Sequence, residues 1–140
     1  MDRSKRLERL VDLSNTAERI AAQALARTNG DLKQYQVQLN ELKTYRAEYQ
    51  RALIGGDGVL INAYDAQTLR VFLQRIDGAI AQIENMMTAA ERRSEVERQT
   101  WMERRLRADA LEGVADRVRH HEQDVAEQKL QREIDDRPRR

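Results

Sequence analysis

An all-α fold, two long helices folded back on each other as an antiparallel coiled coil with the second overhanging the first, follows from three features of the sequence. The first is composition. In 140 residues, 35% of side chains are charged and 40% hydrophobic, but only 4% are aromatic. So few large rings cannot fill a globular core, whereas abundant Ala, Glu, Arg, Leu and Gln suit a helix pair with a narrow apolar seam. The second is punctuation. The one proline, Pro138, stands in the C-terminal tail, so upstream breaks must come from glycine. The third is that apolar residues recur at alternating steps of three and four through both halves.

Taken in order, the first helix is expected over about 3–53. Leu7, Leu10, Ala17, Ala21 and Leu25 begin its stripe, and Leu32, Tyr35, Leu39, Leu42, Tyr49 and Leu53 complete it, with Arg46 interrupting one seam position. Thr28-Asn29-Gly30 displaces the frame between the two runs and reads as a stutter. The reversal falls at 54–61, where Gly55-Gly56-Asp57-Gly58 puts three glycines into four residues and frees the chain for positive φ. The second helix is expected over about 62–135. Leu69, Leu73, Ile76, Ile80, Ile83, Met87, Ala90, Ser94, Trp101, Ala108, Leu111, Ala115, Val118 and Val125 share one heptad frame, with Glu97 and Arg104 as polar interruptions. Residues 136–140 are expected to be a disordered tail, and the whole, 1–140, a single coiled-coil domain.

A short turn makes the helices antiparallel. Pivoting at residue 57 pairs positions whose numbers add to roughly 115, so Leu42 should meet Leu73, Tyr49 should meet Ala66, and Ser14 should meet Trp101. Small residues at Ser14, Ala17, Ala21 and Ala24 would then receive the Trp101 indole and face Ser94 and Ala90. The same pivot sets residue 3 beside 112. It leaves Val114, Val118, Val125, Leu130 and Ile134 on about 20 residues of unpaired helix, roughly 30 Å at 1.5 Å per residue.

Several function classes are disfavoured. Lys plus Arg (25) nearly balances Asp plus Glu (24), so no overall field draws the chain to nucleic acid or anionic lipid. The absence of cysteine excludes thiolate metal sites and disulfides. No apolar run is long enough to span a bilayer, and the first residues lead into an amphipathic segment rather than a signal peptide, so a soluble intracellular protein is expected. His120 and His121 are adjacent, point about 100° apart on a helix, and read as surface residues rather than metal ligands. Gly55-Gly56-Asp57-Gly58 lacks the following Lys-Ser or Lys-Thr of a phosphate loop. Arg137-Pro138-Arg139-Arg140 is too short, and too poor in aromatics, for a nucleic-acid site. A two-helix fold offers no enclosed site for catalysis, so no enzyme, cofactor or metal is expected.

Two candidate surfaces remain. Gln38, Leu42, Tyr45 and Tyr49 descend the first helix at steps of four, three and four, and Phe72, Ile76, Ala79 and Ile83 do so on the second. Each row mixes seam and edge positions, so Tyr45 and Phe72 should be partly exposed, as binding anchors are. Near the termini, Arg6, Arg9 and Arg19 lie alongside Arg98, Arg104, Arg105 and Arg107, and arginine forks suit carboxylates on a partner.

Leu7-x-x-Leu10-x-x-Leu13, then Gln38-Leu39-x-x-Leu42-x-x-Tyr45-x-x-Glu48-Tyr49, a glycine-containing turn, Phe72 with Ala79, and Trp101 followed by an arginine-rich stretch and Asp116-Arg117 together resemble the flagellar export protein FliJ family. The similarity spans nearly the whole chain. It implies a cytoplasmic stalk of the flagellar type III export apparatus, similar to the central stalk of rotary ATPases and peripheral to the inner membrane at the flagellar base. The resemblance further implies that the end bearing both termini enters the ring of a FliI-type export ATPase and promotes ring assembly. A surface nearer the turn would contact the FlhA-type export gate, and flagellar export chaperones would be further partners. The gate contact would carry over to Gln38, Leu42, Tyr45, Tyr49, Phe72, Ile76, Ala79 and Ile83, the last standing where relatives can have a polar or imidazole side chain. The ATPase contact would fall on Arg6, Arg9, Arg19, Arg104, Arg105 and Arg107. The stalk protein of a virulence injectisome and a generic coiled-coil adaptor are the alternatives.

Overall fold

The computed structural model describes residues 3–54 and 63–137, and all but Asp136 and Arg137 of these are helical. Helix α1 spans Arg3–Ile54 and helix α2 spans Ala63–Asp135. The glycine-rich turn expected at 54–61 lies outside the described residues apart from Ile54, as do Pro138, Arg139 and Arg140. The chain forms two compact units, residues 1–23 with 98–140, and residues 24–97. In each, α1 packs antiparallel to α2, and the fold is all-α as expected.

In the 24–97 unit the buried residues are Thr28, Leu39, Ile76 and Ala90, and in the terminal unit Ser4, Ser14, Ala108 and Ala115. Each buried apolar residue lies on the stripe its helix was read to carry. Among the described residues no large side chain is enclosed completely, because two helices cover each other along one line only. Asp136 N still donates to Arg132 O at 3.0 Å, and Arg137 N reaches Ile134 O at 3.3 Å, the tightened final turn of a fraying helix end.

The positions read as interruptions are where the helices recognise each other. Thr28, 4% exposed, donates its hydroxyl between the two carboxylate oxygens of Glu97, at 3.0 and 2.8 Å. Ser94 Oγ donates to Asn29 Oδ1 at 2.9 Å. Arg46 Nε meets Asp77 Oδ1 at 2.6 Å while its Nη1 holds Gln50 Oε1 at 3.2 Å. Thr28 and Asn29, where the sequence reads a stutter, thus form a polar layer within the single helix expected over this stretch.

These contacts correct the expected register. The numbers of the pairs Thr28–Glu97, Asn29–Ser94, Arg46–Asp77 and Tyr49–Phe72 add to between 121 and 125, not to about 115. Tyr49 thus meets Phe72 instead of Ala66. In the terminal unit, Trp101 Nε1 donates to Glu18 Oε1 at 2.8 Å, one turn beyond the expected Ser14. Arg3 shares a groove with Val114, Val118 and His121, so these valines are half-buried and the unpartnered part of α2 is shorter than expected. The physical reason is that a heptad pattern repeats every seven residues. Sliding one helix by a heptad keeps the same faces apolar, so the stripe alone leaves the register degenerate. The polar pairs break that degeneracy.

Two predictions follow from this packing. Replacing Thr28 by Val removes the donor from a half-buried carboxylate and should destabilise the fold by about 1–3 kcal/mol. Adding Glu97→Leu should recover most of that loss, since a well-packed apolar pair replaces a buried polar one at little cost; an unchanged midpoint for the single variant in thermal denaturation followed by circular dichroism would contradict this. A Cβ built on Gly30 or Gly113 meets nothing within 4 Å. Gly30→Ala and Gly113→Ala should therefore each add about 1 kcal/mol of stability through helix propensity, read as a higher denaturation midpoint.

Candidate functional site

The first candidate surface lies wholly in the 24–97 unit. Of its eight residues, Ile76 is buried, and Leu42, Tyr49, Ala79 and Ile83 are half-buried in the seam. Gln38 is exposed, and Tyr45 and Phe72 are 53% and 45% exposed, the partial exposure their edge positions predict. The structure brings Tyr49 and Phe72 together, with ring centroids 5.1 Å apart and planes tilted by 44°. A tilted pair of this kind is worth about 0.5–1.5 kcal/mol beyond its area. It fixes the Phe72 ring while leaving one side of it in solvent.

Tyr45 lines a shallow open groove of about 450 Å³ with Val37, Asn40, Glu41, Thr44 and Glu48. Gln38 lines the adjoining one, about 470 Å³, with Gly30, Lys33, Gln34, Val37 and Glu41. Val37 belongs to both and is 52% exposed. Sequence reasoning missed it because it lies off the seam frame; the only signal is an isolated β-branched residue between Gln36 and Gln38. The α1 side of the surface thus sets Val37 and Tyr45 among amides, a hydroxyl and the carboxylates of Glu41 and Glu48, while α2 contributes the Phe72 ring held by Tyr49.

The second surface lies in the terminal unit, where Arg6, Arg9, Arg19, Arg104, Arg105 and Arg107 are all exposed. They do not form one uniform patch. Arg105 stacks its guanidinium over the Trp101 ring at 5.6 Å, and the same indole is tethered to Glu18. Arg19 Nη2 donates to Thr16 Oγ1 at 3.3 Å, and that hydroxyl donates to Asp12 O at 2.9 Å. Arg9 sits in a mixed groove with Lys5, Glu8 and Asp12. Arg104 and Arg107 instead border an apolar groove of about 260 Å³ floored by Leu10, Leu13, Ser14 and Ala17. Leu13 is 67% exposed there, and Leu10, read from the sequence as part of the seam stripe, is 44% exposed instead, because it lines this open groove at the seam's edge.

Among the described residues, no group of three or more His, Asp or Glu side chains is placed to hold a metal ion. None of the described helices is long and apolar enough to cross a membrane. His120 and His121 are both exposed.

Residues 3–139 match the family model described as flagellar FliJ protein. No curated protein and no solved structure matches the chain.

Proposed function

The chain belongs to the flagellar FliJ protein family, and from that membership we propose that it is the cytoplasmic stalk of the flagellar export apparatus, coupling a FliI-type ATPase ring to a FlhA-type gate. The family match makes the chain a component of flagellar protein export; the partners, their contact residues and a position peripheral to the inner membrane are our reading. The observation that carries the reading is the pair of half-exposed rings, Tyr45 and Phe72, on a unit whose seam polar groups are already satisfied. Each ring leaves about half of its surface in water, and a partner that buries them gains the apolar area they still expose.

On this reading the gate contact uses Gln38, Leu42, Tyr45, Tyr49, Phe72, Ile76, Ala79 and Ile83 in two roles. Tyr45, Phe72 and Gln38 touch the gate, while Leu42, Tyr49, Ile76, Ala79 and Ile83 hold the helices in the register that presents them. The ATPase contact uses Arg6, Arg9, Arg19, Arg104, Arg105 and Arg107, whose forks meet carboxylates of the ring. The chain itself performs no chemistry and binds no nucleotide. It changes ATP turnover by favouring the assembled ring, as any ligand selective for one state does. Flagellar export chaperones bind the same scaffold and deliver cargo, and the consequence for the cell is filament assembly and motility. A generic adaptor or an injectisome stalk gains no support from a match to the flagellar family.

The two surfaces separate experimentally. Tyr45→Ala with Phe72→Ala should lower gate affinity at least tenfold, on the scale of about 1–2 kcal/mol per truncated anchor, and reduce swimming while leaving helical content unchanged; a fully motile double variant would refute the gate assignment. Arg104→Glu with Arg107→Glu should abolish stimulation of the cognate ATPase without affecting gate binding. ATP hydrolysis stimulated as strongly as by the parent chain would remove the ATPase contact from these residues.

A further inference from the structure

Trp101, the chain's one tryptophan, lies in the terminal unit between a carboxylate of α1 and a cation of its own helix. Its Nε1–H donates to Glu18 Oε1 at 2.8 Å, and the Arg105 guanidinium, one turn further along α2, sits over its ring at 5.6 Å from the centroid. The indole is half-buried, whereas Arg105 is exposed. A carboxylate on the indole N–H pushes electron density into the ring, and a denser ring attracts the cation above it more strongly. The row Glu18–Trp101–Arg105 thus alternates in charge and seats Arg105 on a platform whose place depends on the register of α1 against α2. A guanidinium held by its face keeps its in-plane N–H fork for another group.

Arg105 is in this respect unlike its neighbours. On the helix it points about 100° away from Arg104 and about 160° away from Arg107, and those two border the Leu10–Leu13 groove. A carboxylate that meets Arg107 is therefore not the one that meets Arg105. We infer that Arg105 is a specificity-determining cation of the terminal unit, presented to a separate carboxylate of the partner, and that Trp101 is its positioning residue. This rests on the ATPase contact proposed above, among whose arginines Arg105 is the one that the α1–α2 register orients. Binding through a long flexible side chain costs the entropy of ordering it, and for Arg105 the ring has met that cost during folding. Arg19 differs: its tie, the Thr16 hydroxyl, belongs to the same helix, so the register does not enter it.

Two measurements test this, the first on the chain alone. In NMR spectra the side-chain protons of Arg105 should be shifted upfield by the indole and return to ordinary positions in Trp101→Leu; an Arg105 signal that does not move overturns the positioning role, whatever the ATPase does. The second is the chain concentration that gives half-maximal stimulation of the cognate FliI-type ATPase. Arg105→Gln should raise it about tenfold, the scale of one lost charge-assisted hydrogen bond. Trp101→Leu should raise it about threefold, the scale of an exposed cation–π contact, and Trp101→Phe, which keeps a ring and drops only the Glu18 bond, should raise it less. In the Arg105→Gln background Trp101→Leu should add nothing, because no cation is left to position. A Trp101→Leu effect that persists undiminished in that background belongs to packing alone and overturns the proposal. So does stimulation unaltered by Arg105→Gln but abolished by Arg104→Glu with Arg107→Glu, which leaves the ATPase contact standing without Arg105. If neither set of charge variants alters stimulation, the ATPase reading itself fails and the role of Arg105 falls with it. Each variant is compared at a temperature where circular dichroism shows it folded.

Discussion

The hydroxyl of Thr28 shared between the two oxygens of Glu97 is the contact on which the register of the 24–97 unit depends. A two-helix seam built from a heptad repeat tolerates sliding, because each step of seven residues returns apolar faces to each other. Such sliding would leave Leu39, Ile76 and Ala90 buried against some apolar neighbour, but it would strand the Glu97 carboxylate beside aliphatic side chains. Leaving a half-buried charge without a donor costs more than one seam contact contributes. Asn29–Ser94 and Arg46–Asp77 agree with that register, and the ring contact between Tyr49 and Phe72 follows from it.

A narrow seam has a consequence for function. Two helices cover each other along one line, so any apolar residue a single step off that line stays in water. Tyr45, Phe72 and Val37 in one unit, and Leu13 in the other, are exposed for this reason, while Leu10, on the stripe read from the sequence, is left 44% exposed as well. In a protein with a third layer of structure they would be core. Here they stand as apolar surface on helices whose stiffness would spare a partner the entropy of ordering them. The polar groups nearby differ between the two units: an amide, a hydroxyl and two carboxylates beside Tyr45, arginines beside Leu10. Two surfaces of such different chemistry suit two different kinds of partner.

Much of this was visible from the residues. The heptad frames named for α1 and α2 contain every buried apolar residue, and the exposure of Tyr45 and Phe72 follows from their edge positions. The resemblance carried by Leu7, Leu10, Leu13, Gln38 to Tyr49 and Trp101 leads to the family that residues 3–139 match. The polar residues that interrupt the stripe, Thr28, Asn29, Arg46 and Glu97, find their partners across the seam. A polar residue in an apolar stripe looks like a defect until its partner is known, and that partner lies as many as 69 residues away.

The sequence by itself determined that the chain is helical, where each helix turns its apolar face, and that little aromatic bulk would be left for a core, because these depend on composition and on periodicity within one helix. Only the tertiary structure decided which residue of α1 faces which residue of α2. With that came the Trp101–Glu18 tether, the groove between Leu10 and Arg104, and the length of α2 left without a partner. The reason is physical: periodicity is a property of one helix and repeats indefinitely, whereas register is a property of two and is chosen by a few long-range polar contacts that no local pattern encodes.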